Sequence, residues 1–150
     1  MNRPVDVIVL SRQGVEEFYT DRPYILISIR DPQSKPANVP KNPNEVARLD
    51  LEFSDWDLDR FPALKGQGEL KAFVKEDADS ILTLIRLTLP YINLLVVNCE
   101  AGISRSAGTA AAVAKILGQK DDIYFKNYIP NRYIYKLLLN TYMDSKPIGD

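Results

Sequence analysis

Cys99 and Arg105 are the residues of this chain best suited to chemistry. Five residues separate them, in Asn98-Cys99-Glu100-Ala101-Gly102-Ile103-Ser104-Arg105-Ser106, directly after the apolar run Leu94-Leu95-Val96-Val97. The order predicts a strand, a short loop of small residues and then an Ala-rich helix. Such a loop gathers backbone N–H groups around one point, and the helix that follows turns its positive end to the same point. The expected product is a cradle for a tetrahedral oxyanion, in which Arg105 grips two oxygens. The same field favours the Cys99 thiolate, which is a nucleophile at neutral pH. A lone cysteine after an apolar strand is ordinarily a small buried hydrophobe. An arginine at a helix start, where the helix end is already positive, makes sense when an anion lies between them.

Two counts narrow the chemistry. Cys99 is the one cysteine, so neither an internal disulfide nor a resolving thiol exists within the chain. Histidine is absent altogether, which removes Ser-His-Asp and Cys-His catalysis and most zinc sites. The electropositive loop is the remaining way to activate the sulfur, and no metal or cofactor is called for.

These residues resemble the cysteine-dependent protein tyrosine phosphatases, whose signature is Cys, five residues, Arg and Ser. The fuller C-E-A-G-I-S-R-S is similar to the dual-specificity branch, and most of all to its small bacterial and phage phosphatase-like members. The resemblance covers most of the chain from Val46 onward and is loose before it. It implies hydrolysis of phosphomonoesters through a phosphocysteine intermediate, with phosphate held by Glu100, Ala101, Gly102, Ile103, Ser104 and Arg105. It also implies that the Ser106 hydroxyl hydrogen-bonds the cysteine sulfur and eases its departure, although Ser106 equally suits a helix cap. Gly102 is expected either to bring the backbone close to a ligand or to adopt positive φ.

A leaving alkoxide or phenolate needs a proton, and Asp55 and Asp57 are the candidates. F-S-D-W-D is similar to the family's F-x-D-x-D segment, which assigns the acid to Asp55, with Asp57 as the alternative. Either could equally be a solvated loop carboxylate or a helix cap. Pro130-Asn131 resembles the family's Pro-Asn segment before its last helix, whose asparagine buttresses the cysteine loop. An ordinary Asn cap is the competing reading of Asn131. The chain departs from the family at Asn98, where histidine is usual. Asparagine can donate similar hydrogen bonds but has no charge to lend the loop.

The elements that must position these residues alternate. Val5–Leu10 reads as a strand, followed by a helix capped by Ser11 and running to about Tyr19. Tyr24–Ile29 and Ala47–Phe53 read as further strands, the latter with Leu49, Leu51 and Phe53 on one face. Between them, residues 31–44 include four prolines and form an exposed loop. Residues 54–68 have loop composition and hold both candidate acids. Helices are expected over Lys75–Leu89, Ser106–Leu117 and Asp121–Lys126, and from Pro130-Asn131 to about Met143. The pattern predicts one α/β domain over residues 1–150, with a mostly parallel sheet of about four to five strands flanked by helices, as the phosphatase resemblance implies. Ligands of such sheets bind beyond the carboxyl ends of the strands, where both the Cys99 and the Asp55 loops lie.

Composition bounds the partners. The net charge is −1, which gives no reason to expect nucleic acid. No apolar run is long enough to span a bilayer, and the N-terminus lacks a signal-peptide pattern, so a cytoplasmic monomer is expected. The expected partner is a phosphorylated protein or a small phosphomonoester. Glu100 and Ser104 add no cation to the cradle, which disfavours multiply phosphorylated lipids. Two rivals stand beside the phosphatase reading. One is a phosphate-binding pseudophosphatase, and the lower-ranked one is a rhodanese-like sulfurtransferase.

Overall fold

The computed structural model describes residues 4–57 and 70–148 of the chain. Four strands, β1 (Asp6–Leu10), β2 (Tyr24–Arg30), β3 (Glu45–Glu52) and β4 (Leu94–Asn98), form one sheet in the order β1-β4-β2-β3, and every pairing is parallel. The expected α/β class is therefore found, with four strands among the described residues. The helices are α1 (Arg12–Glu16), α2 (Lys75–Thr88), α3 (Arg105–Ile116), α4 (Asp122–Asn127) and α5 (Arg132–Met143), with a 3-10 turn at Leu89–Tyr91. The expected loop over 54–68 is described only through Asp57, and the rest of it lies outside the described residues.

The central strand explains the layering. All five residues of β4 are buried, as a strand paired on both edges and covered on both faces requires. Its side chains alternate between two clusters. Leu95 and Val97 join the large core, with Ile81 and Ile85 of α2, Ala110, Ala111 and Val113 of α3, and Ile134 and Leu138 of α5. Leu94 and Val96 face a smaller cluster made by Val15 of α1, Tyr24, Leu26 and Ala37. Alanines on α3 let that helix lie close to the sheet. Its residues from Arg105 to Ala114 are all buried.

Three expectations change. The Pro-rich segment 31–44 is not only an exposed loop. Its Ala37 is buried and Val39 packs beside it, so the segment covers the sheet face that short α1 leaves open. Helix α1 ends at Glu16 rather than near Tyr19, because Phe18 leaves the helix to pack edge-on against Tyr24, with ring centroids 5.5 Å apart. Strand β3 starts at Glu45, two residues early, because a register shift between Tyr24 and Ile25 lets Glu45 pair with Tyr24. Among the described residues, no helix is long and apolar enough to cross a membrane.

Candidate active site

All four strands deliver a residue to one end of the sheet. Ser11 follows β1, Asp31 follows β2, Phe53 and Asp55 follow β3, and Cys99 follows β4. The loop from Cys99 to Ser104 closes over this end and runs into α3. Its curvature depends on Gly102, which has φ +70°, and a Cβ there would lie 2.7 Å from the backbone nitrogen of Ser11. Of the two expected uses of this glycine, the positive φ is found, and the close approach is to the backbone that follows β1 rather than to a ligand. A second tie is Arg12, whose backbone N–H donates to the Glu100 carbonyl at 3.0 Å. Its Nη1 pairs with the Glu100 carboxylate at 3.1 Å. Glu100 is therefore neutralised by a neighbour.

Cys99 is buried, and its sulfur is the focus of the loop. The N–H groups of Gly102 and Ser106 donate to Sγ at 3.3 and 3.4 Å, and Ser106 Oγ lies 3.1 Å away. Ser106 lies inside α3 rather than at its N-cap, which is Ser104, and among the described residues its hydroxyl meets the sulfur. These dipoles stabilise negative charge on sulfur. Ala101 and Ile103 are exposed on the outer side of the loop, and Ser104 is part-buried.

Arg105 is held from two sides. Its Nη1 donates to the Phe53 carbonyl at 2.8 Å and pairs with Asp31 Oδ1 at 2.7 Å. Its side chain is only 7% exposed. A guanidinium is rigid and planar with five donors. Anchoring Nη1 therefore leaves the Nε and Nη2 edge, unpaired among the described residues, as a fork for two oxygens of an anion.

The two acidic candidates separate. Asp55 is exposed, and its Oδ1 accepts from Ser104 Oγ at 2.7 Å and from Asn131 Nδ2 at 2.9 Å. It stands beside the cysteine loop. Asp57 is buried, and its Oδ2 accepts from the backbone N–H of Arg132 at 3.0 Å, at the start of α5. A carboxylate there complements the positive helix end.

Asn131 is both cap and brace. Its Oδ1 accepts from Ile134 N–H, while Nδ2 donates to Asp55 and to the Trp56 carbonyl. The side chain thus steadies the acid segment, and it is the backbone N–H that reaches the cysteine loop, donating to the Ser104 carbonyl at 3.0 Å. This closeness needs Gly108 on α3, where a Cβ would meet the Asn131 carbonyl oxygen at 2.5 Å. Alanine there gains about 1 kcal/mol in helix propensity but overpacks at a cost of about 1–3 kcal/mol. Gly108→Ala is expected to lower stability in a urea melt, and to displace Asn131 from Asp55.

Asn98 is buried beneath the loop, and its Oδ1 has no hydrogen-bond partner. Among the described residues, no group of three or more histidine, cysteine, aspartate or glutamate side chains is placed to hold a metal ion. Asp31 and Arg12 are the site residues that the sequence does not single out. The signal that finds Asp31 is topological: it is a carboxylate directly after a strand, at the end of the sheet where parallel α/β folds bind ligands.

No family model matches this chain, and no curated protein matches it. Among solved structures it is similar to the human tyrosine phosphatase-like serine/threonine/tyrosine-interacting protein, with a TM-score of 0.41 and 22% identity over 78% of this chain and 74% of that one. What the site can do follows from its own residues.

Proposed function

We propose that the protein is a cysteine-dependent phosphomonoesterase of the protein tyrosine or dual-specificity type, acting on a phosphorylated protein or a small phosphomonoester. One observation carries this reading. A buried cysteine sulfur receives two backbone N–H groups of a strand-to-helix loop, and the arginine that ends the loop keeps Nε and Nη2 unpaired among the described residues. That arrangement is suited to a nucleophile under a bound oxyanion, and it serves no evident purpose for a packing cysteine.

In this mechanism Cys99 Sγ attacks phosphorus in line while the ester P–O bond breaks. The N–H groups of residues 100–105 and the Arg105 fork stabilise the equatorial oxygens as charge spreads over them. Asp55 gives its proton to the leaving oxygen. It then takes one from the water that attacks phosphocysteine, which releases phosphate and restores the thiolate. Ser106 stabilises that departing sulfur. Ser104 and Asn131 hold the Asp55 carboxyl at the loop before substrate arrives.

The acid assignment has a paired test. Asp55→Ala is expected to slow hydrolysis of an alkyl phosphate by about 10²–10⁴-fold, and of an activated aryl phosphate far less. Asp57→Ala is expected to leave that leaving-group dependence unchanged, and to lower stability by about 1 kcal/mol through the lost hydrogen bond to the first N–H of α5. The reverse pattern in steady-state rates and melts would move the acid to Asp57.

A second reading, phosphate binding without turnover, is favoured by Asn98. Its side chain carries no charge to lend the loop, and its buried Oδ1 has no hydrogen-bond partner. Hydrolysis of an aryl phosphate in the presence of a chelator, with calorimetric titration of phosphate alongside, separates the two. Turnover supports the enzyme, and binding without turnover supports the pseudophosphatase. A thiosulfate–cyanide assay tests the sulfurtransferase rival.

A further inference from the structure

The residue that completes the anion site lies outside the cysteine loop and outside the acid segment. Asp31 Oδ1 sits 2.7 Å from Arg105 Nη1, on the carboxyl end of the neighbouring strand β2. The backbone of Asp31 is itself fixed. Its carbonyl accepts from Ser34 N–H at 3.1 Å and from Ser34 Oγ at 2.8 Å, closing a turn with Pro32 and Gln33 at its centre. Gln33 has φ +69°, as the third position of a type II turn requires. A non-glycine residue in that region is strained, and such strain persists where the surroundings hold it. The segment is tied down again further on. Arg12 Nη2 donates to the Pro36 carbonyl while its Nη1 holds Glu100, and Asn38 N–H donates to Glu16.

We infer that Asp31 is a positioning residue that locks the Arg105 guanidinium in plane, so that its Nε and Nη2 edge faces the anion. The inference rests on the anion site proposed above. Two effects of Asp31 oppose each other. Its charge repels a phosphate dianion, but its side chain is 55% exposed, so water screens that field. Its bond to Nη1 acts on a rigid plane whose other anchor, the Phe53 carbonyl, is a single point about which the plane can tilt. Orientation is therefore expected to outweigh repulsion.

Inorganic phosphate is the probe, titrated calorimetrically into the full chain and its variants, with kcat and KM for an aryl phosphate measured in parallel. Asp31→Ala is expected to raise the phosphate Kd about tenfold, in keeping with loss of one charge-assisted hydrogen bond behind the grip. Its kcat/KM is expected to fall by more, because the fork matters most in the transition state. Asp31→Asn keeps an acceptor and drops the charge, so it is expected to restore most of both losses. Binding by Asp31→Ala as tight as wild type, or tighter, overturns the inference, as does an Asn variant no better than Ala. If the wild-type protein binds no phosphate, the anion site itself is refuted, and the role of Asp31 falls with it.

Discussion

Cys99→Ser is expected to abolish hydrolysis while leaving phosphate affinity close to that of the wild type. The lost step is attack on phosphorus, because an alkoxide is not available at neutral pH as a thiolate is. What remains is the bulk of the cradle. The N–H groups of Gly102 and Ser106 now face an oxygen, and Arg105 stays anchored by Phe53 and Asp31. Single-turnover assays and calorimetry on the same preparation check both halves. Retained hydrolysis would eliminate the phosphocysteine intermediate.

Arg105→Ala is expected to remove binding and turnover together. It deletes the fork and also strands its two partners, the Phe53 carbonyl and the Asp31 carboxylate. Loss of a charge-assisted, bidentate grip of about 3 kcal/mol corresponds to a phosphate affinity weaker by about two orders of magnitude. Arg105→Lys is expected to recover little of this. An ammonium is a point donor, and it cannot hold Phe53, Asp31 and two phosphate oxygens at once. Calorimetric titration with phosphate gives the affinity, and an aryl phosphate assay gives the rate. If Arg105→Ala binds phosphate as the wild type does, the anion lies elsewhere.

How legible each part was depends on where its partners lie along the chain. The cysteine loop is contiguous, and strand, glycine, arginine and helix all fall within a dozen residues, so local chemistry predicts the cradle. The same holds for the layers, since the unbroken apolar run of β4 and the alanines of α3 signal burial on both sides. The roles of Asp55 and Asp57 could not be separated locally. Their surroundings differ because Asp57 accepts from the first N–H of α5 while Asp55 accepts from Ser104 of the cysteine loop, contacts between segments far apart in the chain. Asp31 was hidden for a related reason. Nothing near it in sequence marks its carboxylate as a partner for Arg105, which is brought across only by the pairing of β2 with β4. The covering role of Ala37 was masked by the prolines around it, whose turn chemistry reads as exposure.

The sheet order has one more consequence. Cys99 leaves a strand paired along both edges and buried throughout, whereas Asp55 leaves β3, which among the described residues borders the sheet with a single neighbour. Protection against local opening rises from the border of a sheet to its middle. Cys99 is thus mounted on the element released last, when the whole domain comes apart, and the Asp55 segment on one that frays at lower free energy. Gentle destabilisation would erode the two halves in sequence, so that on the proposed function hydrolysis is expected to fail before phosphate binding, and phosphate binding before the fold.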